Sequence, residues 1–64
     1  MDKQDFMEFV SMVFEVAPEF MRMLDNVLSY AKNISDENEQ YIFLESILSG
    51  TIGLTQSEIR DISL

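Results

Sequence analysis

The chain has 64 residues and a formal net charge of −8, and it contains neither cysteine nor histidine. A domain this small buries only about 60% of the surface that its unfolded chain exposes, and small domains commonly compensate with disulfides, a metal or a partner subunit. Because this chain lacks cysteine and histidine, we expect tight packing or oligomerisation to stabilise it. Because 47% of the residues are hydrophobic, the composition predicts a single folded domain over residues 1–64.

The N-terminal segment MDKQDFMEFV alternates acidic and basic residues and then becomes amphipathic. It has no basic region, continuous apolar region or small-residue cleavage site of the kind that marks a signal peptide. No apolar run approaches the roughly 20 residues that a membrane span needs. We therefore expect a cytoplasmic protein without a membrane partner.

Residues 5–17 are predicted to form the first helix, because their apolar side chains recur at steps of three and four. These side chains are Phe6, Phe9, Val10, Val13, Phe14, Val16 and Ala17. With Met7 and Met12 added, the apolar arc covers roughly 220° of the helix, which is more than one neighbouring helix can hide.

Pro18 is expected to separate this helix from a second one over residues 19–33. A proline displaces the preceding residue from helical geometry and is itself well suited to the first turn of a new helix. The predicted inward residues are Phe20, Met23, Leu24, Val27, Leu28, Tyr30 and Ala31. A single long helix kinked at Pro18 is the alternative.

A third helix is predicted from an N-cap at Ser35 to about Ser49, with Gly50 as the left-handed residue that ends it. Its inward face comprises Tyr41, Phe43, Leu44, Ile47 and Leu48. Thr55 and Glu58 then have the spacing of a capping box, which predicts a short helix beginning at Gln56.

These elements predict an all-α fold, a small bundle of three helices plus a short C-terminal fourth helix. The wide apolar arc of the first helix suggests that homodimerisation completes the bundle. Met7, Met12, Met21 and Met23 are the candidate residues for this dimer interface or for a second interface, because methionine suits adaptable contact surfaces.

The residue inventory argues against an enzyme. Nucleophilic and acid–base chemistry usually requires histidine, cysteine or paired carboxylates in a pocket, and the carboxylates of the first three helices fall on polar faces. Asp36 and Asn38 superficially begin a calcium loop, but Tyr41 occupies the position of its obligatory glycine. We expect no catalytic, cofactor-binding or metal-binding residues.

Residues 54–63, LTQSEIRDIS, resemble the first helix of helix-turn-helix proteins, in which a capped LTQxEIA segment packs beneath the recognition helix. Arg60 stands where that family places a small residue. The resemblance implies DNA binding, but there is no lysine or arginine between Asn33 and Ile59 and there are five acidic residues. Such a surface repels phosphate, so we expect no direct contact with nucleic acid.

Ile42 lies on the polar side of the third predicted helix. Its neighbours three and four residues away are Asn38, Glu39, Glu45 and Ser46. An apolar side chain within a polar, acidic ring has the character of an interface anchor with a charged rim, so these five residues are the candidate partner-binding site.

We therefore expect a small acidic regulator, an adaptor or antagonist that docks on a larger protein and modulates it. A basic or nucleic-acid-binding protein is one candidate for this partner. Compact regulators of bacteria and phages offer an analogy of size and charge. One alternative is a nucleic-acid mimic whose carboxylates occupy a groove built for phosphates. Another is a self-assembling structural module.

Overall fold

The computed structural model describes all 64 residues and is all-helical, which confirms the predicted fold class. Its elements are α1 (Lys3–Phe14), α2 (Pro18–Lys32), α3 (Glu37–Thr51) and the single-turn α4 (Gln56–Arg60). Each helix packs against the next one in the chain. Beside the helices there is one isolated parallel bridge, between Asp2 and Ser63, which places the two ends of the chain side by side.

The first helix is displaced towards the N-terminus relative to the prediction. It starts after Asp2, whose carboxylate accepts a hydrogen bond from the Asp5 backbone N–H at 2.8 Å. It ends at Phe14 because Glu15 adopts a left-handed conformation with φ 49°. Ala17 is extended and Pro18 is the first residue of α2, so the alternative of one helix kinked at Pro18 is wrong.

Both predicted ends of the third helix need correction. The N-cap is Asp36 rather than Ser35, since the Asp36 carboxylate accepts from the Glu39 backbone N–H at 3.0 Å. Gly50 is helical, because α3 continues two residues beyond Ser49 to Thr51 and the Ile52 N–H donates to the Leu48 carbonyl at 3.2 Å. The left-handed glycine is Gly53, with φ 67°.

A stripe of leucines at four-residue spacing forms the centre of the core. Leu24 and Leu28 of α2 and Leu44 and Leu48 of α3 are completely buried. The remaining buried residues come from α1, from the end of α2 and from the C-terminal segment: Phe6, Val10, Ala31, Leu54, Ile59 and Ile62. All ten are apolar, so the core has no buried polar side chain to satisfy.

Three residues predicted to point inward are exposed instead. Val13 is 57% exposed, since Phe14 and Val16 cover the core at that end of α1. Ala17 is exposed in the extended segment before Pro18. Tyr30 is 63% exposed, because the adjacent Ala31 takes the core-facing position on this turn of α2.

The short fourth helix is held by the predicted capping box, which is confirmed. The Thr55 hydroxyl accepts from the Glu58 backbone N–H at 3.2 Å, and the Glu58 carboxylate accepts from the Thr55 N–H at 2.9 Å. This arrangement turns Ile59 into the core, where it is 1% exposed. None of the helices combines the length and the apolar composition that crossing a bilayer requires.

Candidate functional site

The outer side of α3 carries the five residues that the sequence singled out, and we call this surface the Ile42 face: Asn38, Glu39, Ile42, Glu45 and Ser46. Ile42 lies two residues before the buried Leu44, which rotates it by about 200° around the helix. Its side chain is 57% exposed, as the spacing predicts. Among its neighbours only Glu45 is half-buried, while the other three are exposed.

The Ile42 face is negatively charged and its carboxylates are unpaired. The one salt bridge of the molecule joins Lys3 of α1 to Asp25 of α2, so neither Glu39 nor Glu45 has a basic partner. No lysine or arginine occurs between Asn33 and Ile59. The two charged neighbours of Ile42, Glu39 and Glu45, are therefore both negative, and the other two, Asn38 and Ser46, are neutral.

The serine hydroxyls near Ile42 are bonded to the helix itself. Ser46 donates to the Phe43 carbonyl at 2.7 Å, and Ser49 donates to the Glu45 carbonyl at 2.7 Å. Hydroxyls that bond back to their own helix remain close to its backbone. Ile42 is the protruding apolar side chain on this side of α3.

Tyr30 of α2, which the sequence predicts to face inward, lies on the surface at the seam with α3. Its ring packs on Phe43 of α3, with 5.1 Å between the ring centroids and a tilt of 45°. Phe43 is half-buried and rests against the core. The available signal was that Tyr30 precedes the inward-facing Ala31, a rotation of about 100° that places the ring at the seam between α2 and α3.

The four methionines proposed for a dimer or second interface have different environments. Met12 is 78% exposed. Met7 and Met21 are partly buried and pack against the core, and Met23 is half-buried. Met12 follows Met7 by five positions, which places the two side chains about 140° apart around α1. Met12 and the adjacent Val13 make up the exposed apolar part of that helix.

The largest depression in the surface is polar and lies at the start of α3. It is lined by Asp36, Glu37, Asn38, Tyr41 and Arg60. The Arg60 guanidinium lies over the Tyr41 ring, 5.0 Å from its centroid, and the Tyr41 hydroxyl donates to the Arg60 carbonyl at 3.5 Å. Because Asp36 is the N-cap of α3, its carboxylate is already engaged by backbone.

A second, more apolar depression lies between α1 and the C-terminal segment. Its lining residues are Met1, Phe6, Phe9, Leu54, Glu58 and Asp61. The pKa of Glu58 is lowered, chiefly because its carboxylate accepts a hydrogen bond from the Thr55 backbone N–H and also one from the Thr55 hydroxyl. Nowhere do three or more His, Cys, Asp or Glu side chains converge as metal ligands would.

Comparison with protein-family models, with curated proteins and with solved structures found no match to this chain.

Proposed function

We propose that this protein is a small acidic regulator, an adaptor or antagonist that docks the Ile42 face on a basic surface of a larger protein and modulates that protein. The proposal rests on one observation, the 57% exposure of Ile42 within a polar ring whose two carboxylates, Glu39 and Glu45, have no salt-bridge partner. It assigns the chain to the cytoplasm, with no catalytic activity and no direct contact with nucleic acid.

The chemistry of the Ile42 face supports two separate contributions to binding. Burying an isoleucine side chain in a partner's pocket is worth about 1.5–3 kcal/mol, which lengthens the lifetime of a complex. The Glu39 and Glu45 carboxylates attract a basic partner over a distance and raise the association rate, an effect that salt screens. The apolar anchor and the acidic rim should therefore be separable by mutation.

The test is capture of binding proteins from a lysate of the source organism at low and at high salt. We expect Ile42→Asp to hasten dissociation and abolish capture at both salt concentrations. Glu39→Lys combined with Glu45→Lys should slow association and flatten its salt dependence. Circular dichroism of each variant serves as the folding control.

Val13→Asp is the matched control, because Val13 has the same 57% exposure as Ile42 but lies on α1. It should leave capture unchanged even where it weakens the self-association proposed below, because capture is assigned to the Ile42 face on α3. If Ile42→Asp and Val13→Asp capture the same proteins as the parent, the partner does not bind through the Ile42 face. If capture depends on the carboxylates alone and disappears at high salt, the nucleic-acid mimic is the better description.

We propose in addition that two copies associate through Met12 and Val13, the exposed apolar residues of α1. Support comes from their exposure of 78% and 57% and from the small size of the domain. Since each copy carries a net charge of −8, association should strengthen as salt rises. Sedimentation equilibrium at tens of micromolar tests this, and a monomer at every salt concentration contradicts it.

A further inference from the structure

The chain has two tyrosines, which differ in whether a cation lies over the ring. At Tyr41 the guanidinium of Arg60 lies over the ring, 5.0 Å from the centroid, and acidic side chains of the α3 start line the same depression. At Tyr30 no cation of this chain lies over the ring. Stacking of a guanidinium on a tyrosine ring is favourable.

Tyr30 has the features of a preformed contact platform. Phe43 supports its ring from the side of α3, at 5.1 Å between centroids, while 63% of the residue is exposed. A tyrosine gives up little conformational freedom on binding, and tyrosines are enriched among residues that dominate interface energy. The ring is thus fixed in orientation and open to a partner.

Tyr30 and the Ile42 face belong to one continuous surface. Around α3, Glu39 lies about 40° from Phe43 and about 60° from Ile42, so it is between them. The Glu39 carboxylate is exposed and has no salt-bridge partner. Lys32 follows Tyr30 by two residues, a rotation of about 200° that places it on the other side of α2. Lys3, whose ammonium donates to the Ser29 hydroxyl at 3.2 Å, is already paired with Asp25. Glu39 is therefore an unpaired charge on the α3 side of this surface.

We propose, on the basis of the function proposed above, that the docking surface extends from Ile42 to Tyr30 and that the Tyr30 ring receives an arginine side chain of the basic partner. The guanidinium stacks on the ring while the Glu39 carboxylate attracts its charge. Arginine is favoured over lysine, because the planar and weakly hydrated guanidinium stacks on aromatic rings better than an ammonium does.

The test compares decaarginine with decalysine, two peptides of equal charge, by NMR titration of the protein. We expect decaarginine to bind more tightly by a factor of up to about five, since a whole surface cation–π contact is worth about 0.5–1 kcal/mol and lysine retains part of it. Its largest chemical-shift changes should fall at Tyr30, Glu39 and Phe43. Tyr30→Leu should abolish the preference for arginine, whereas Tyr30→Phe should retain it, because the phenyl ring still offers a π face.

Tyr41→Leu is the matched control, since the Tyr41 ring is already occupied by Arg60, and it should keep the arginine preference as long as circular dichroism shows a folded chain. Equal affinity of the parent for both peptides, or a preference that survives Tyr30→Leu, overturns the arginine site. That failure differs from failure of the proposed function, which is shown by lysate capture that does not change with Ile42→Asp.

Discussion

The two sides of α3 show how an apolar residue can serve either the core or the surface of a small bundle. Leu44 and Leu48 are completely buried, whereas Ile42, on the same helix, is 57% exposed. All three are aliphatic and similar in size. At 100° per residue, two positions are enough to move a side chain from the inner to the outer face. The number of apolar residues in a helix therefore does not show which of them are buried. The position of each residue around the helix axis determines its burial.

The largest expected effect is a difference in the free energy of unfolding between substitutions on the two faces of α3. Leu48→Ala should lower the free energy of unfolding by about 2–5 kcal/mol, because it opens a cavity in a fully packed core. Ile42→Ala should change it by no more than about 0.5 kcal/mol, as a surface substitution. Urea unfolding of both variants measures this, and equal losses would mean that Ile42 belongs to the core.

The glycines at the end of α3 extend the comparison to the backbone. Gly50 is helical and a Cβ there would meet nothing within 4 Å, whereas Gly53 has φ 67°. Gly53→Ala should destabilise by about 1–2 kcal/mol, since L residues are strained in the left-handed region. Gly50→Ala should stabilise by about 0.5–1 kcal/mol. Thermal melts should shift in opposite directions; shifts of the same sign would contradict the assigned end of α3.

The capping box of α4 holds the helix that places Ile59 in the core. Thr55→Ala removes the acceptor for the Glu58 backbone N–H and should cost about 1 kcal/mol. Thr55→Ser keeps the hydroxyl and should cost much less, which makes it the matched control. Superimposable unfolding curves for Thr55→Ala and the parent would show that α4 adds nothing to stability.

A smaller, pH-dependent effect comes from Glu58, whose pKa lies below the ordinary value of 4.5 because of its hydrogen bonds with Thr55. A carboxylate with a lowered folded pKa stabilises the fold above its unfolded pKa, and this contribution is lost as the pH falls through the folded value. Glu58→Gln should therefore lower the urea midpoint at neutral pH and have a vanishing effect once the parent carboxylate is protonated. A difference that persists in acid contradicts this linkage.

Glu19→Gln provides the control for net charge in that experiment. Glu19 also lies in the first turn of its helix, but its side chain makes no hydrogen bond that caps the backbone. It should show a smaller loss at neutral pH than Glu58→Gln. Equal losses would assign the effect to the helix dipole rather than to the capping box.

Periodicity was sufficient to predict the first three helices, the inward direction of their leucines and the outward direction of Ile42. The capping box at Thr55 was also predictable, because its chemistry is local and both partners lie within one turn. Competition between neighbouring residues was harder to predict. Ser35 and Asp36 can both cap α3, and only the backbone conformation shows that Asp36 does so.

Val13 and Tyr30 were wrongly predicted to face inward, and the reason lies outside the periodicity of their helices. The end of α1 depends on Glu15 adopting a left-handed conformation, which no local pattern indicates. Once α1 ends at Phe14, that residue and Val16 cover the core and Val13 is left in solvent. The position of the Tyr30 ring likewise depends on Phe43 of α3, on which it packs. The sequence of α2 alone does not predict that contact.

The central claim, that Ile42 serves a partner rather than the fold, is tested most directly by measuring stability and capture on one protein, Ile42→Asp. We predict a folded protein whose unfolding midpoint is only slightly below that of the parent, because aspartate is a poorer helix former and repels Glu39 and Glu45. We also predict a complete loss of partner capture, while Val13→Asp retains capture. An Ile42→Asp protein that unfolds, or one that remains folded and captures the same partner as the parent, would contradict the account.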